Sequence, residues 1–410
     1  MPQPHATRRT SLALGVLATL AAGGFVADDL FRGGLQAPFD FTEYWAAGRL
    51  NARGENPYDG SNVRAVQRGI GLDDTAIMMW NPPWTLALVM PVGLLDFRTA
   101  YGVWVLANVA LLLASAELLW RGFGGDPARR WLAYLLALTF VPTIFLIGSG
   151  QITGVVLVGL AGFLVLAGAN RPLLAGAVGA LTAVKPHLLA LFALWLLLDA
   201  IRSRAGRRVV LGGLLVGLAA CVSPTVANPD VWAQYLTATT GPSSADHHNL
   251  ARWTPPLLGW WLRTAVPGQP FWVQWVPLAL AAVGFAAWYR GADHNRPAAD
   301  RLPWVVGLSL LFAPYGVWQH DLVLLLVPIL ATATEVKGRR AVVVALGWLA
   351  AVNALALAMM VKRISSEWYV WVTPVVLLGC AVVSRLSAAR EPARTTHAPT
   401  LHARRPEAVR

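Results

Sequence analysis

Two carboxylates in one polar stretch near the start of the chain have the spacing of a catalytic pair. Asp40 and Glu43 are three residues apart, which on a helix places both side chains on one face. A carboxylate in such a position can act as a general base and remove a proton from a hydroxyl. Tyr44 and Trp45 beside them are typical of the membrane interface. For either acid taken alone, an ordinary solvated loop charge is the simpler interpretation.

Ionisable residues also interrupt two apolar segments further along the chain. Lys185 and His187 occupy the tip of one expected hairpin, and Gln319, His320 and Asp321 occupy the tip of another. An ionisable side chain at membrane depth is costly and by default indicates function. Snorkelling of the Lys185 side chain to the interface is the alternative. Cations hold phosphate groups, so these residues together favour an anionic, phosphate-bearing lipid as substrate.

Four more polar residues are weaker candidates for binding. Asn81 precedes two prolines and is either a ligand or a turn cap, and Gln151 is either a ligand or the partner of a helix end. His248 belongs to a His-His pair, which is more often a feature of a flexible loop than of a metal site. Arg252 beside Trp253 is otherwise an interfacial anchor.

The composition indicates that all these groups are positioned by membrane-spanning helices. Of 410 residues, 56% are hydrophobic and 13% charged, and the mean hydropathy is +0.53. Soluble domains carry about a quarter charged residues, so an integral membrane protein is expected. The net charge of +12 fits basic cytoplasmic loops under the positive-inside rule and needs no nucleic acid as partner. Cys221 and Cys380 lie in apolar stretches, so neither a disulfide framework nor a cysteine metal site is expected.

Apolar runs of membrane length predict about twelve spans with both termini in the cytoplasm. The first run follows an Arg pair and is read as an uncleaved span, with a cleaved signal as the alternative. The short helix Thr85–Leu95 either crosses the membrane or, on what we call the surface reading, is a juxtamembrane or re-entrant helix. The surface reading is preferred because it keeps the basic loop at 121–130 cytoplasmic. The expected spans are Ser11–Ala27, Ala100–Trp120, Trp131–Ile147, Ile152–Ala169, Leu173–Val184, Leu188–Ala200, Val209–Val222, Phe271–Tyr289, Pro303–Phe312, Leu322–Ala333, Ala341–Val361 and Tyr369–Ser384.

This topology predicts a single polytopic membrane domain over residues 1–387. A catalytic outer loop at 28–98 would carry juxtamembrane helices, and a second outer loop would lie at 223–270. The basic tail at 388–410 would be disordered in the cytoplasm. The candidate residues would then meet at the extracytoplasmic side of the cell membrane.

Several motifs resemble those of glycosyltransferase family 87, the polyprenyl-phosphate-mannose-dependent mannosyltransferases of the GT-C class. Asp40, Tyr44, Gly54 and the run 57–59 are similar to the family's first outer loop. The later similar motifs follow in the same order, and the resemblance extends to about residue 328. They are Asn81-Pro82-Pro83, Gly150-Gln151, Lys185-Pro186-His187 and Trp318-Gln319-His320, with Asn81 standing where the family often has an aromatic residue.

The resemblance implies an all-α, GT-C-type fold and an inverting hexosyltransferase. Its donor would be a polyprenyl-phosphate sugar, with mannose as the expected sugar and arabinose as the alternative, and its acceptor a hydroxyl of a glycolipid or polysaccharide. By motif position the general base would be Asp40, with Glu43 as second choice, and no metal or other cofactor is expected. The residues assigned to substrate binding are Tyr44, Arg49, Tyr58, Asn81, Gln151, Lys185, His187, His248, Arg252, Gln319 and His320.

A lipid or small-molecule transporter or flippase is the alternative function. It would place ionisable groups near the bilayer midplane and show paired, interrupted spans. The polar clusters of this chain fall instead at hairpin tips on one side. A non-catalytic membrane scaffold would give no reason for Lys185 in an apolar hairpin.

Overall fold

The protein is helical throughout the part that the structure describes. The structure is a computed structural model, and it describes residues 39–72, 75–241, 250, 253–294 and 296–389. The expected first span, the two His-His residues, Arg252 and the basic tail from residue 390 lie outside this part. No β-strand occurs in the described ranges, as the composition predicts.

The α-helices are connected by short loops and by 3-10 turns. The 3-10 turns are Pro83–Thr85, Pro127–Arg129, Ala180–Val184, Pro186–Leu189, Phe271–Trp275, Asp321–Leu325 and Ser366–Trp371. The α-helices, in order α1 to α17, are Phe39–Ala52, Gly60–Arg68, Leu86–Gly93, Phe97–Gly122, Trp131–Thr139, Val141–Ser149, Thr153–Gly168, Pro172–Gly179, Ala190–Arg202, Arg204–Ala227, Val231–Thr240, Leu258–Thr264, Val276–Gly291, Ala298–Leu311, Leu326–Glu335, Arg339–Val361 and Val372–Ala388.

Several of these helices are long and apolar enough to cross a membrane. Within the described residues, length and composition give five such spans: α4, α10, α16, and α13 and α17 with their preceding 3-10 turns. The bent pair of α5 and α6 is a sixth if it forms one span. The chain is therefore a polytopic membrane protein, but the predicted count of twelve spans is not confirmed. The remaining apolar helices are shorter, because turns and prolines divide several expected spans into pieces.

The expected span Trp131–Ile147 is one of those divided. The chain bends by 59° between α5 and α6, where Phe140 has extended backbone angles and Pro142 lies in the first turn of α6. Proline cannot continue the hydrogen-bond ladder of a preceding helix. The Val141 N–H donates instead to Oδ1 of Asn353 on α16, at 2.9 Å. The bend is thus stabilised by a side chain from a distant helix.

The second outer loop also differs from its predicted bounds. The expected loop at 223–270 begins later, because α10 continues to Ala227 with Pro224 inside it. The segment that follows contains α11 and α12, so it is partly helical. Apolar residues of α10 are exposed, among them Leu214 at 59% and Leu218 at 67%, as expected for a surface that contacts lipid.

Helix α1, which carries Asp40, packs closely against α3. An added Cβ at Gly48 would lie 2.3 Å from the Val89 carbonyl oxygen, and one at Gly93 would lie 2.3 Å from the Arg49 nitrogen. Glycine at both positions therefore allows the two backbones to touch. The apolar segment Pro83–Gly93 extends roughly 16 Å at helical rise, about half of the hydrocarbon thickness of a bilayer. Its length supports the surface reading of this segment.

We expect Gly93→Ala to separate α1 from α3 and to lower the stability of the protein. Overpacking of this kind typically costs about 1–3 kcal/mol, so the thermal midpoint of the purified protein in detergent should fall. Gly102→Ala on α4 is the matched control, because a Cβ there meets nothing within 4 Å. Equal midpoints for the two variants would contradict the close packing of α1 on α3.

Candidate active site

A buried carboxylate, Asp321, organises the polar centre of the structure. Its side chain is 0% exposed and accepts a hydrogen bond of 2.8 Å from Nζ of Lys185. The hydroxyl of Thr153 at the start of α7 donates to the same oxygen, and the Trp318 N–H donates to the other at 3.0 Å. A buried ion pair needs such additional hydrogen bonds to offset the loss of water. The Asp321 carboxylate is therefore held in one orientation.

His320 lies between two carboxylates. Its Nε2 is 3.5 Å from Oδ2 of Asp321, and its Nδ1 is 3.5 Å from Oδ2 of Asp40. Burial lowers the pKa of His320, although the negative charges of Asp321 and Asp40 oppose that shift. The Asp40 side chain remains 20% exposed. Asp40 is thus the most exposed of these three side chains.

The Lys185 side chain reaches Asp321 from a break in the helical chain. Lys185 has extended backbone angles (φ −131°, ψ 71°) between two 3-10 turns, and proline follows it. The loop before α3 packs against this break: Nδ2 of Asn81 donates to the Val184 carbonyl at 2.9 Å, and the Trp84 indole donates to Ala183 at 2.9 Å. The hydroxyl of Tyr58 donates to the Asn81 carbonyl at 3.0 Å.

The two predicted carboxylates differ in their surroundings. Glu43 is partly exposed, as Asp40 is, but the loss of water around its carboxyl group, followed by the charge of Asp40, raises the pKa of Glu43 well above its ordinary value. Next to it, the Tyr44 hydroxyl donates to Oε1 of Gln151, which also accepts the Ile152 N–H at 2.8 Å. Glu43 therefore holds its proton to a higher pH than a free glutamate, and a protonated acid is a poor general base.

Two predicted binding residues have partners away from Asp40. The Nε2 of Gln319 donates to the Ser366 hydroxyl at 2.7 Å. The His187 ring meets the Tyr315 ring edge-on at 5.8 Å, and Tyr315 stacks on Trp253 at 4.6 Å. Burial and the charge of Lys185 lower the pKa of His187 to about 4. His187 is therefore neutral near pH 7 and does not supply a positive charge.

Arg49 belongs to a different part of the molecule. It lies nine residues after Asp40 on α1, which is two and a half helical turns and so the opposite face. Its guanidinium lies 5.4 Å from the centre of the Trp45 ring and donates to the Gly93 carbonyl at 3.2 Å. The structure therefore does not bring Arg49 to the Asp40 cluster. His248 and Arg252 lie outside the described residues, and their roles stay predictions.

Sequence reasoning did not assign a role to Asp321 or Thr153, which hold the cluster together. Asp321 directly follows His320 at a hairpin tip, so a signal for it was present in the sequence. Thr153 carried no such signal, because a threonine within an apolar helix is common and its contact with Asp321 spans 168 residues. Among the described residues, no group of three or more His, Cys, Asp or Glu side chains is arranged to hold a metal ion.

The sequence of the chain matches one known protein family. Residues 80–314 match the model of glycosyltransferase family 87, which is more than half of the chain, and the chain belongs to that family. It is therefore a membrane glycosyltransferase. The matched range includes Asn81, Gln151 and Lys185 but ends before His320 and begins after Asp40. No curated protein and no solved structure matches the chain.

We expect Lys185→Met to destabilise the protein by about 3–5 kcal/mol, because it leaves the Asp321 carboxylate buried without its cation. Asp321→Asn added to the same chain should recover part of that loss, since the amide is neutral and its one oxygen still accepts from either the Thr153 hydroxyl or the Trp318 N–H. Chemical unfolding in detergent measures both changes. A double variant no more stable than Lys185→Met would show that the ion pair is not the source of the effect.

Proposed function

We propose that the protein transfers a sugar, mannose by its motif resemblance, from a polyprenyl-phosphate donor to an acceptor hydroxyl on the outer side of the cell membrane. The acceptor would be a lipid- or polymer-linked glycan. The observation that supports this best is the placement of Asp40: a partly exposed carboxylate 3.5 Å from His320, beside a buried Lys185–Asp321 ion pair. Such a group offers one accessible proton acceptor next to a cation.

In the proposed reaction, Asp40 removes the proton of the acceptor hydroxyl. The hydroxyl oxygen then attacks the anomeric carbon of the donor from the side opposite the phosphate, which inverts the configuration. The bond between the anomeric carbon and the phosphate oxygen breaks, and its electron pair leaves with the lipid phosphate. The proton ends on Asp40 and passes to solvent, so no metal or redox cofactor is needed for balance.

The leaving phosphate needs positive charge close to it. An ammonium has three N–H donors, and the bond from Lys185 to Asp321 uses one of them. Lys185 is thus suited to donate to a phosphate oxygen while it stays anchored. Arg252 is the second cationic candidate, on the sequence alone.

His320 has a positioning role in this proposal. Its Nδ1 lies 3.5 Å from Oδ2 of Asp40, so an imidazole that carries a proton on Nδ1 would attract the Asp40 carboxylate and help to orient its basic oxygen. The Asp321 carboxylate lies 3.5 Å from Nε2 on the other side of the ring. Asn81 and Tyr58 act one step further away, because they hold the backbone next to Lys185.

The outward orientation of the site is supported by the distribution of basic residues. Arg121, Arg129 and Arg130 follow α4 on the side away from Asp40, and Arg202 ends α9, which begins beside Lys185. Segments rich in arginine usually face the cytoplasm. The loop that carries Asp40 then faces outward, where a lipid-linked donor and a glycan acceptor both have access.

We expect Asp40→Asn to lower kcat for sugar transfer by about 10²–10⁴-fold, the usual contribution of a general base, with little change in donor binding. Glu43→Gln should lower it far less, because glutamine resembles the protonated acid that burial favours at this position. The assay is transfer from radiolabelled polyprenyl-phosphate-mannose in membranes, with polyprenyl-phosphate-arabinose, which carries the alternative sugar, as a second arm.

The ranking of the two variants decides which acid is the base. A larger loss with Glu43→Gln than with Asp40→Asn would make Glu43 the proton acceptor. Full activity of a folded Asp40→Asn protein would overturn the assignment of Asp40. Faster transfer from the arabinose donor would keep the mechanism and change the sugar.

A further inference from the structure

A second polar cleft lies between α1 and α2, on the face of α1 opposite Asp40. Its volume is about 450 Å³. One side of the cleft is charged. The other side is mostly apolar and is formed by α2 and the residues that follow it. The charged side is formed by Trp45, Arg49, Arg53 and Glu55, and the facing side by Asn62, Ala65, Val66, Gly69 and Ile70.

The charges of the cleft favour an anion. Arg49 and Arg53 are positive and Glu55 is negative, which leaves one excess positive charge among the lining residues. Arg49 is held in place by the Trp45 ring, 5.4 Å away, and by its hydrogen bond to the Gly93 carbonyl. A guanidinium fixed in this way loses little conformational entropy when it binds, and its planar donors match phosphate oxygens.

Arginines are unusual in a loop that faces outward, as the loop that carries Asp40 does in the proposed orientation. Five arginines lie in the described part of the outer loop at 28–98, namely Arg49, Arg53, Arg64, Arg68 and Arg98. Outer segments of membrane proteins are normally poor in basic residues. The positive-inside rule explains the arginines of the opposite side but not these. A local anionic ligand would explain at least the two that line the cleft.

The surroundings of the cleft are suited to a lipid. Leu94 is 70% exposed and Leu88 is 38% exposed, both at or next to α3. The Trp45 indole, which lines the cleft, donates to the Leu95 carbonyl at 3.1 Å, so this apolar surface adjoins the charged side. An amphiphile can place its phosphate on the arginines and its chains along the exposed leucines.

This cleft cannot hold the phosphate of the reacting donor. Arg49 lies nine residues from Asp40 along α1, about 13 Å in helical rise and half a turn in direction. A donor phosphate must lie one bond from the anomeric carbon, which itself lies within about 3–3.5 Å of the attacking oxygen. A ligand in the cleft is therefore a second molecule, or the distant part of a large acceptor.

We propose that this cleft binds the phosphate diester of an anionic membrane lipid and that the bound lipid steadies α1, which carries Asp40. The proposal rests on the outward orientation proposed above, but its test needs no sugar transfer. The intact chain, purified in an uncharged detergent, is titrated with short-chain phosphatidylglycerol while its thermal unfolding midpoint is measured. Short-chain phosphatidylcholine and inorganic phosphate form the two comparison arms.

We expect phosphatidylglycerol to raise the midpoint in a saturable manner, with phosphatidylcholine and inorganic phosphate less effective at equal concentration. Arg53 is exposed and has room to be replaced, so Arg53→Gln should fold normally and weaken the apparent affinity roughly tenfold, as expected for the loss of a charge-assisted hydrogen bond. Glu55→Gln should change the affinity in the opposite direction. Arg98→Gln, an exposed arginine at the start of α4 outside the cleft, is the matched control.

Three results would overturn the proposal. A midpoint rise that Arg53→Gln leaves unchanged, or no rise at all, would show that the cleft is not the binding site. An equal rise with inorganic phosphate would exclude the lipid as its occupant. An equal rise with phosphatidylcholine would show that net negative charge is not what the arginines recognise. Loss of sugar transfer by Asp40→Asn is independent of all three.

Discussion

The buried ion pair between Lys185 and Asp321 is the interaction on which the rest of the site depends. It joins two hairpin tips that are 136 residues apart in the chain, and it is almost completely shielded from water. Two such charges are tolerated only in good geometry with further hydrogen bonds, which Thr153 and Trp318 supply. Because Asp321 is fixed, its neighbour His320 is fixed as well. Three helical segments thus converge on one point.

The Asp40 helix is positioned against this point by a separate set of contacts. The hydroxyl of Tyr44 bonds Gln151, and the Trp104 indole donates to the Gly150 carbonyl at 2.6 Å. On its other side, α1 rests directly on α3 through glycine contacts. The Asp40 carboxylate therefore lies on a packed helix rather than on a loop, as a site of defined geometry requires.

Sequence reasoning located members of the buried polar cluster where a residue type was out of place. Lys185 and His320 interrupt apolar hairpins, and the cost of a charge in that setting indicated their importance. Sequence reasoning was weaker where the place of a residue depends on the face of the helix to which its side chain belongs. Arg49 shares a helix with Asp40, but only the helical phase shows that it faces away.

The number of membrane spans also could not be predicted from the sequence. Hydropathy counts apolar runs, but it does not show where proline and a distant partner such as Asn353 bend or divide them. The helical class and the membrane setting depend on composition alone, and for that reason they were predictable. The ends of individual helices depend on tertiary contacts, as the extension of α10 to Ala227 illustrates.

The most direct measurement is an experimental structure of the intact protein with a non-hydrolysable phosphonate analogue of the lipid-linked sugar. The mechanism requires room for one hydroxyl between Asp40 and the sugar, with the base within about 3 Å of that oxygen and the oxygen within about 3.5 Å of the anomeric carbon. We therefore expect the anomeric carbon about 5–7 Å from the Asp40 carboxylate, with the phosphonate next to Lys185. An anomeric carbon more than about twice that distance from Asp40, or on the opposite side of the Lys185–Asp321 pair, would contradict it.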